Sequence, residues 1–315
     1  MMLLAAMAAC GNDQNAQDDA GSSVDAANPV DMPDASTTTI DADMGPDAPT
    51  QPACGNEQLP VAQITGTEGI AIAPDGTLYY SQDGAIGRRR PGMAPEDAWV
   101  ALPGVGTVWG LAYDEASGVL YVAVPGSNNG KLMKIDTAAA APTATVLYPG
   151  ANGANGLVIG PDGALYYSAG SKVYRVDLQG QRTQVNGTQG VPGANGLFFA
   201  SPTNLLVLAY NSGEVWELTL DASMHETART KKVTVPNARL DGIARDEQGR
   251  WYLGDNGGGR LLRYRADWTG LETLLPNVPS AANVVFGRGA LSCTDVYVAS
   301  GDTLGRFVGD SGGTP

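Results

Sequence analysis

Glu68, Trp109, Asn155, Asn195, Asp241 and Asn283 share one local setting. Each stands directly before a short apolar run. Five are followed by glycine (Gly69, Gly110, Gly156, Gly196 and Gly242) and the sixth by Val284. The intervals between those following residues are 41, 46, 40, 46 and 42. The set offers two carboxylates and three carboxamides, with no His or Cys among them. Oxygen-only donors suit a hard divalent cation, Ca²⁺ first, with Zn²⁺, Mn²⁺ or Mg²⁺ as alternatives. Two carboxylates about 5 Å apart repel by roughly 3 kcal/mol at an effective dielectric near 20, and a cation between them removes that cost. Such an ion polarises a carbonyl group and lowers the pKa of a bound water. Asn and Asp before Gly also serve as turn formers. Asp75 and Asp162 fit that use, each lying in a Pro-Asp-Gly between two apolar runs. Glu68 and Asp241 instead precede the first run of their unit, and Glu is not a turn former.

The elements that must position these residues repeat six times. The segments EGIAIAPDGTLYYS, WGLAYDEASGVLYVAV, NGLVIGPDGALYYS, NGLFFASPTNLLVLAY, DGIARDEQGRWYLGD and NVVFGRGALSCTDVYVAS align. A unit of 40–46 residues with four short strands is a propeller blade. In blade 1 the strands are expected at Gly69–Ala73, Thr77–Ser81, Ala85–Arg90 and Ala98–Leu102. Blade 3 repeats the pattern at Leu157–Gly160, Ala164–Ser168 and Lys172–Asp177. Amphipathic helical runs are absent, which excludes a helical solenoid. The expected fold is all-β, a six-bladed β-propeller over residues 54–315. Blade 6 holds Asn283–Gly287, Asp295–Ser300 and Leu304–Val308 and lacks a fourth strand; Leu59–Ile64 is expected to supply it and close the ring. Closure would bring Cys54 and Cys293 to one face, so a disulfide between them is expected, the alternative being two free structural cysteines.

The remaining reactive residues narrow the chemistry. His225, the single histidine, falls between blades 4 and 5, away from the strand starts. A Ser-His-Asp triad is therefore unexpected. The run Asp255–Arg260 is glycine-rich but joins two strands, so it is a poor phosphate cradle. Arg88, Arg89 and Arg90 alternate between faces of a strand and read as a solvated edge. Trp109 reads as a wall of the channel. Asn128, Asn129 and Asn211 lie in connections expected on the site face, and Asn283 is expected beside the ligands.

The net charge is -14, from 19 Lys plus Arg and 33 Asp plus Glu, which disfavours nucleic-acid binding. Residues 1–53 carry nine Asp and no Glu, Lys or Arg. The stretch MMLLAAMAA ends in small residues before Cys10 and resembles a bacterial lipoprotein signal, with Met7-Ala8-Ala9-Cys10 as lipobox. It is too short to span a bilayer as a helix. The alternative is a disordered start with an accidental Cys. Residues 11–53 hold almost no large apolar residues and read as a disordered acidic tether. The implied location is outside the cytoplasm, lipid-anchored to an envelope membrane, either the outer membrane or the cell surface.

At the aligned residues the chain resembles the SMP-30/gluconolactonase/LRE-like family of six-bladed propellers. Members of that family hold one divalent metal through Glu, Asn, Asn and Asp from blades 1, 3, 4 and 5. Thr67-Glu68-Gly69, Asn155, Ala194-Asn195-Gly196 and Leu240-Asp241-Gly242 match those motifs, and Asn283 stands in a matching blade 6 segment. The resemblance spans roughly residues 59–310. It implies a metal-dependent hydrolase of lactones or esters, with Glu68, Asn155, Asn195 and Asp241 as ligands, Asp241 also as general base, and a monomeric protein. Two departures concern substrate: Gly153 stands where sugar-lactone hydrolases often carry Arg, and Asn155-Gly156 replaces an Asn-Asp-Gly. A binding propeller with a structural metal, and a repeat protein without metal, remain the other readings.

Overall fold

The computed structural model describes residues 54–314 apart from Gly66 and Asp302. Cys10, the signal segment and the tether at 11–53 lie outside the described residues. Six antiparallel sheets follow one another, five of four strands and the last of three. Their innermost strands are Ile70–Ile72, Gly110–Asp114, Ala154–Ile159, Ala194–Ser201, Leu240–Arg245 and Ala281–Phe286. Each lies beside the next, and the sixth lies beside the first, so the sheets form a closed six-bladed β-propeller.

Packing between blades explains the closure. The middle strands Leu120–Val124, Leu205–Ala209 and Asp295–Ser300 are buried on both faces. A sheet covered on both sides reads as a continuous apolar run rather than an alternating one. The apolar side chains gather into six clusters, one at each junction between neighbouring blades. The last joins Ile70, Ile72 and Tyr80 of blade 1 to Tyr297, Ala299 and Leu304 of blade 6. The hairpins of blades 1 and 3 turn through Gly76 and Gly163, at φ 92° and 72°, a conformation that only glycine takes without strain. Asp75 and Asp162 accept backbone N–H groups of Thr77 and Ala164, the turn role expected of them.

The closing segment differs from expectation. Leu59–Ile64 lies against the third strand of blade 6, Thr303–Val308, but makes no ladder with it. It forms a 3₁₀ turn at Val61–Gln63 instead. Pro60 has no N–H to give a ladder. Leu59 and Ile64 still bury their side chains in the junction of blades 6 and 1. The ring is latched by other contacts. Thr67 Oγ1 donates to the Thr303 carbonyl at 2.9 Å, and Glu57 pairs in parallel with Leu291. Cys54 and Cys293 form the expected disulfide, with their Cα atoms 5.6 Å apart.

Candidate functional site

The starts of the innermost strands converge on one cavity. Its wall comprises Glu68, Trp109, Asn155, Asn195, Asp241 and Asn283, with the glycines that follow four of them and Leu157, Leu197 and Ile243 beneath. These six are the residues singled out by spacing alone. The cavity is small, about 40 Å³. A wider vestibule of about 590 Å³ opens over it, lined by five of the same side chains together with Gly153, Tyr210 and Asn256.

Strand pairing explains why these side chains point to the axis. In blade 3, Ala154 pairs with Ala169 and Leu157 with Tyr167, so Asn155 and Gly156 oppose the single residue Ser168. Blade 4 repeats this at Asn195-Gly196, blade 5 at Asp241-Gly242 and blade 6 at Ala282-Asn283. Each is a β-bulge, which bends the strand and redirects a side chain. Blade 2 pairs regularly from Gly110 onward and carries Trp109 in place of a donor. In blades 1 and 3 a serine braces the turn: Ser81 Oγ accepts from the N–H groups of Glu68 and Gly69, and Ser168 Oγ from that of Gly156.

The glycines serve the approach of one blade to the next. A Cβ on Gly110 would stand 2.2 Å from the Asn155 carbonyl oxygen, one on Gly156 2.2 Å from that of Asn195, and one on Gly196 2.0 Å from that of Asp241. Each glycine thus seats the backbone of the following hub residue. The repeated residue-Gly pair is the sequence trace of that contact.

Burial dominates the electrostatics of the hub. Asn195 and Asp241 are buried, and Glu68 and Asn155 half-buried. Burial pushes the Glu68 carboxyl up to about 8, and the Asp241 charge pushes in the same direction. Burial likewise pushes Asp241 up to about 7, opposed by a hydrogen bond from Asn195. Asn195 Oδ1 is buried and has no hydrogen-bond partner. A buried acceptor left unpaired costs about 1–3 kcal/mol. A cation held among these four side chains would satisfy that oxygen and reverse both carboxyl shifts. The donors are two carboxylates and two amides; among the described residues no group of three or more His, Cys, Asp or Glu comes together.

The other residues singled out sort into two groups. Asn283 lines the cavity, but its Oδ1 accepts from the Val284 N–H at 2.9 Å and its amide donates to the Ile70 carbonyl at 3.4 Å. It is a bracing residue rather than a donor to an ion. Asn128 and Asn211 are exposed and line neither the cavity nor the vestibule. Two residues not expected at the site occupy the vestibule instead. Tyr210 donates its hydroxyl to Asn256 Oδ1 at 3.1 Å, and the Asn256 amide donates to Asp241 Oδ2 at 3.4 Å. Each follows directly on the second strand of its blade, Asn204–Ala209 or Trp251–Asp255. That shared position is the signal that could have found them. His225 is exposed beside Asp221, away from the axis, and lies in the hairpin between the third and fourth strands of blade 4 rather than between blades 4 and 5. Arg88 and Arg90 pair with Glu96, while Arg89 is buried and pairs with Glu57. The arginine run therefore braces blade 1 rather than lying wholly in solvent.

No family model matches the sequence, and no curated protein matches it. Solved structures do. A luciferin-regenerating enzyme superposes with a TM-score of 0.65 at 17% identity, over 80% of this chain and 94% of that one. XC5397 of Xanthomonas campestris, described as a gluconolactonase, gives 0.64 at 20% identity, over 79% and 88%. The chain has the fold of these propellers. A third match is virginiamycin B lyase of Staphylococcus aureus with quinupristin, a catalytically inactive histidine-to-alanine variant. It gives 0.55 at 16% identity, over 78% and 96%. At these identities the shared property is the fold.

Proposed function

We propose that this protein is a metal-dependent hydrolase of lactones or esters, acting at the axial cavity. The observation that carries the reading is the buried, unpartnered Asn195 Oδ1, set in one small cavity with Glu68, Asn155 and Asp241. These four residues would hold one divalent cation, Ca²⁺ being the best match to an all-oxygen set. When bound, the ion supplies Lewis-acid polarisation of the substrate carbonyl and activation of water. Glu68 and Asp241 supply its balancing charge, and Asn155 and Asn195 orient through neutral oxygens. Asp241 is the general base, its Oδ2 tethered by Asn256. Trp109 and Tyr210 form apolar walls of the vestibule. The fold shared with a gluconolactonase agrees with this chemistry. A virginiamycin-type lyase fits less well, because a histidine variant of that enzyme is inactive and His225 lies off the axis.

Gly153 lines the vestibule with no side chain, so no arginine grips a sugar there. That favours, as the second reading, a binding propeller whose metal is structural. Metal analysis of the purified protein, followed by a screen of aldonolactones, acyl lactones and aryl esters, separates the two. Bound divalent metal with turnover supports the hydrolase. Bound metal without turnover supports the binding module, and no metal sinks both. The same proposal sets the propeller, as a monomer, on a lipid tether outside the cytoplasm. Incorporation of labelled palmitate that is lost in Cys10→Ser checks the anchor.

A further inference from the structure

Below the axial cavity the channel widens into a second chamber of about 330 Å³, within the range of small-ligand pockets. Leu157, Leu197, Ile243 and Asn283 line both spaces and form the partition between them. Both polar atoms of the Asn283 carboxamide are engaged with backbone, so the partition is braced rather than loose. The chamber is lined by aliphatic and aromatic side chains together with the backbone edges of the innermost strands. Leu157, Val158, Ile159, Phe198 and Val285 lie on innermost strands, pack into the junctions between blades and remain half-buried where they border this space. Apolar surface left facing a cavity is stabilised when an apolar group fills it.

The mouth is different in character. Among the described residues that line the chamber, Glu115 and Arg288 are the charged ones, and they pair with each other. Glu115 comes from blade 2 and Arg288 from blade 6. The Glu115 side chain is 45% exposed and that of Arg288 23% exposed. An exposed ion pair of this kind is weak, so a ligand carboxylate can take the place of Glu115 at little cost. Arg presents a fork of donors that matches a carboxylate.

We propose that this chamber is a binding site for a small amphiphilic carboxylate, its aliphatic chain along the apolar side chains and its head on Arg288. The site is separate from the axial cavity and does not depend on the hydrolase reading. Octanoate is the probe, titrated by calorimetry into the full chain. The wild type is expected to bind it, and octanol at least tenfold more weakly. Arg288→Met is expected to weaken octanoate at least tenfold. Ala112→Trp and Ala244→Phe, which fill the chamber from two different blades, are expected to abolish binding; melting curves first establish that each variant is folded. Asp241→Asn is expected to leave octanoate binding unchanged. No binding by the wild type, equal binding by folded chamber-filled variants, or equal affinity for octanol would each overturn the proposal.

Discussion

Asp241 is the residue on which most of the proposed chemistry rests. Asp241→Asn keeps the shape and the bulge but removes a charge and the proton acceptor. Any hydrolysis is expected to disappear while the denaturation midpoint of the ion-free protein stays or rises, since a buried, uncompensated carboxylate is gone. Retained turnover in a steady-state assay would contradict its role as base. Asn256 acts on Asp241 from one step away. A residue that orients a metal ligand typically contributes 10–100-fold to affinity. Asn256→Leu is therefore expected to weaken Ca²⁺ binding by about that factor in a calorimetric titration. Tyr210→Phe should do less. The double variant should be no worse than Asn256→Leu alone, because Tyr210 reaches Asp241 only through Asn256.

At the level of the strand, the bulge and its glycine form one device. Gly196 has no room for a methyl group, and the obstacle is the backbone carbonyl of Asp241 rather than a movable side chain. Gly196→Ala is expected to cost about 1–3 kcal/mol in urea unfolding, in the range of overpacked positions. It should also weaken ion binding beyond that loss, because the displaced backbone belongs to Asp241, a proposed ligand. By contrast, a Cβ on Gly153 meets nothing, so the cost of Gly153→Ala comes from its φ of 70° alone. Strand order and most strand limits were legible from repeat length and turn residues. The bulges were not, because a bulge is a property of pairing between two strands. Nor was the choice of Tyr210 over Asn211. Neighbouring positions at a strand end face different ways, and one residue of register decides which enters the vestibule.

For the whole ring, charge and closure set stability. Glu68 and Asp241 have folded-state pKa values above those of free carboxylates. Between the unfolded values near 4 and the folded values near 7 and 8, the folded state binds more protons than the unfolded chain. The ion-free protein is thus expected to lose stability as pH rises from about 4 to about 8, and to level off above. Saturating Ca²⁺ should remove that slope, so the gap in Tm between Ca²⁺-loaded and EDTA-treated protein should widen with pH. A gap that does not change with pH would argue against an ion between these carboxylates. The Cys54–Cys293 bond closes a span of 239 residues. In the chain-entropy view its removal costs about 5 kcal/mol, which guanidinium unfolding of the Cys54→Ser, Cys293→Ser variant would register.

The amino-acid sequence alone determined the number of blades, the hub residues and the cysteine pair. The first two follow from local patterns, since a short strand, a tight turn and a residue-Gly step each need only neighbouring residues; the cysteine pair follows from ring closure, which the repeat count implies. Tertiary structure decided the rest. It turned the supposed closing strand into a 3₁₀ turn, because Pro60 can bury its neighbours but cannot join a ladder. It engaged the Asn283 carboxamide with backbone, at the wall of the cavity. It brought Tyr210 and Asn256 together across two blades, and it opened a second chamber beneath the hub. Contacts between distant segments depend on how six sheets pack around one axis, and no single repeat carries that information.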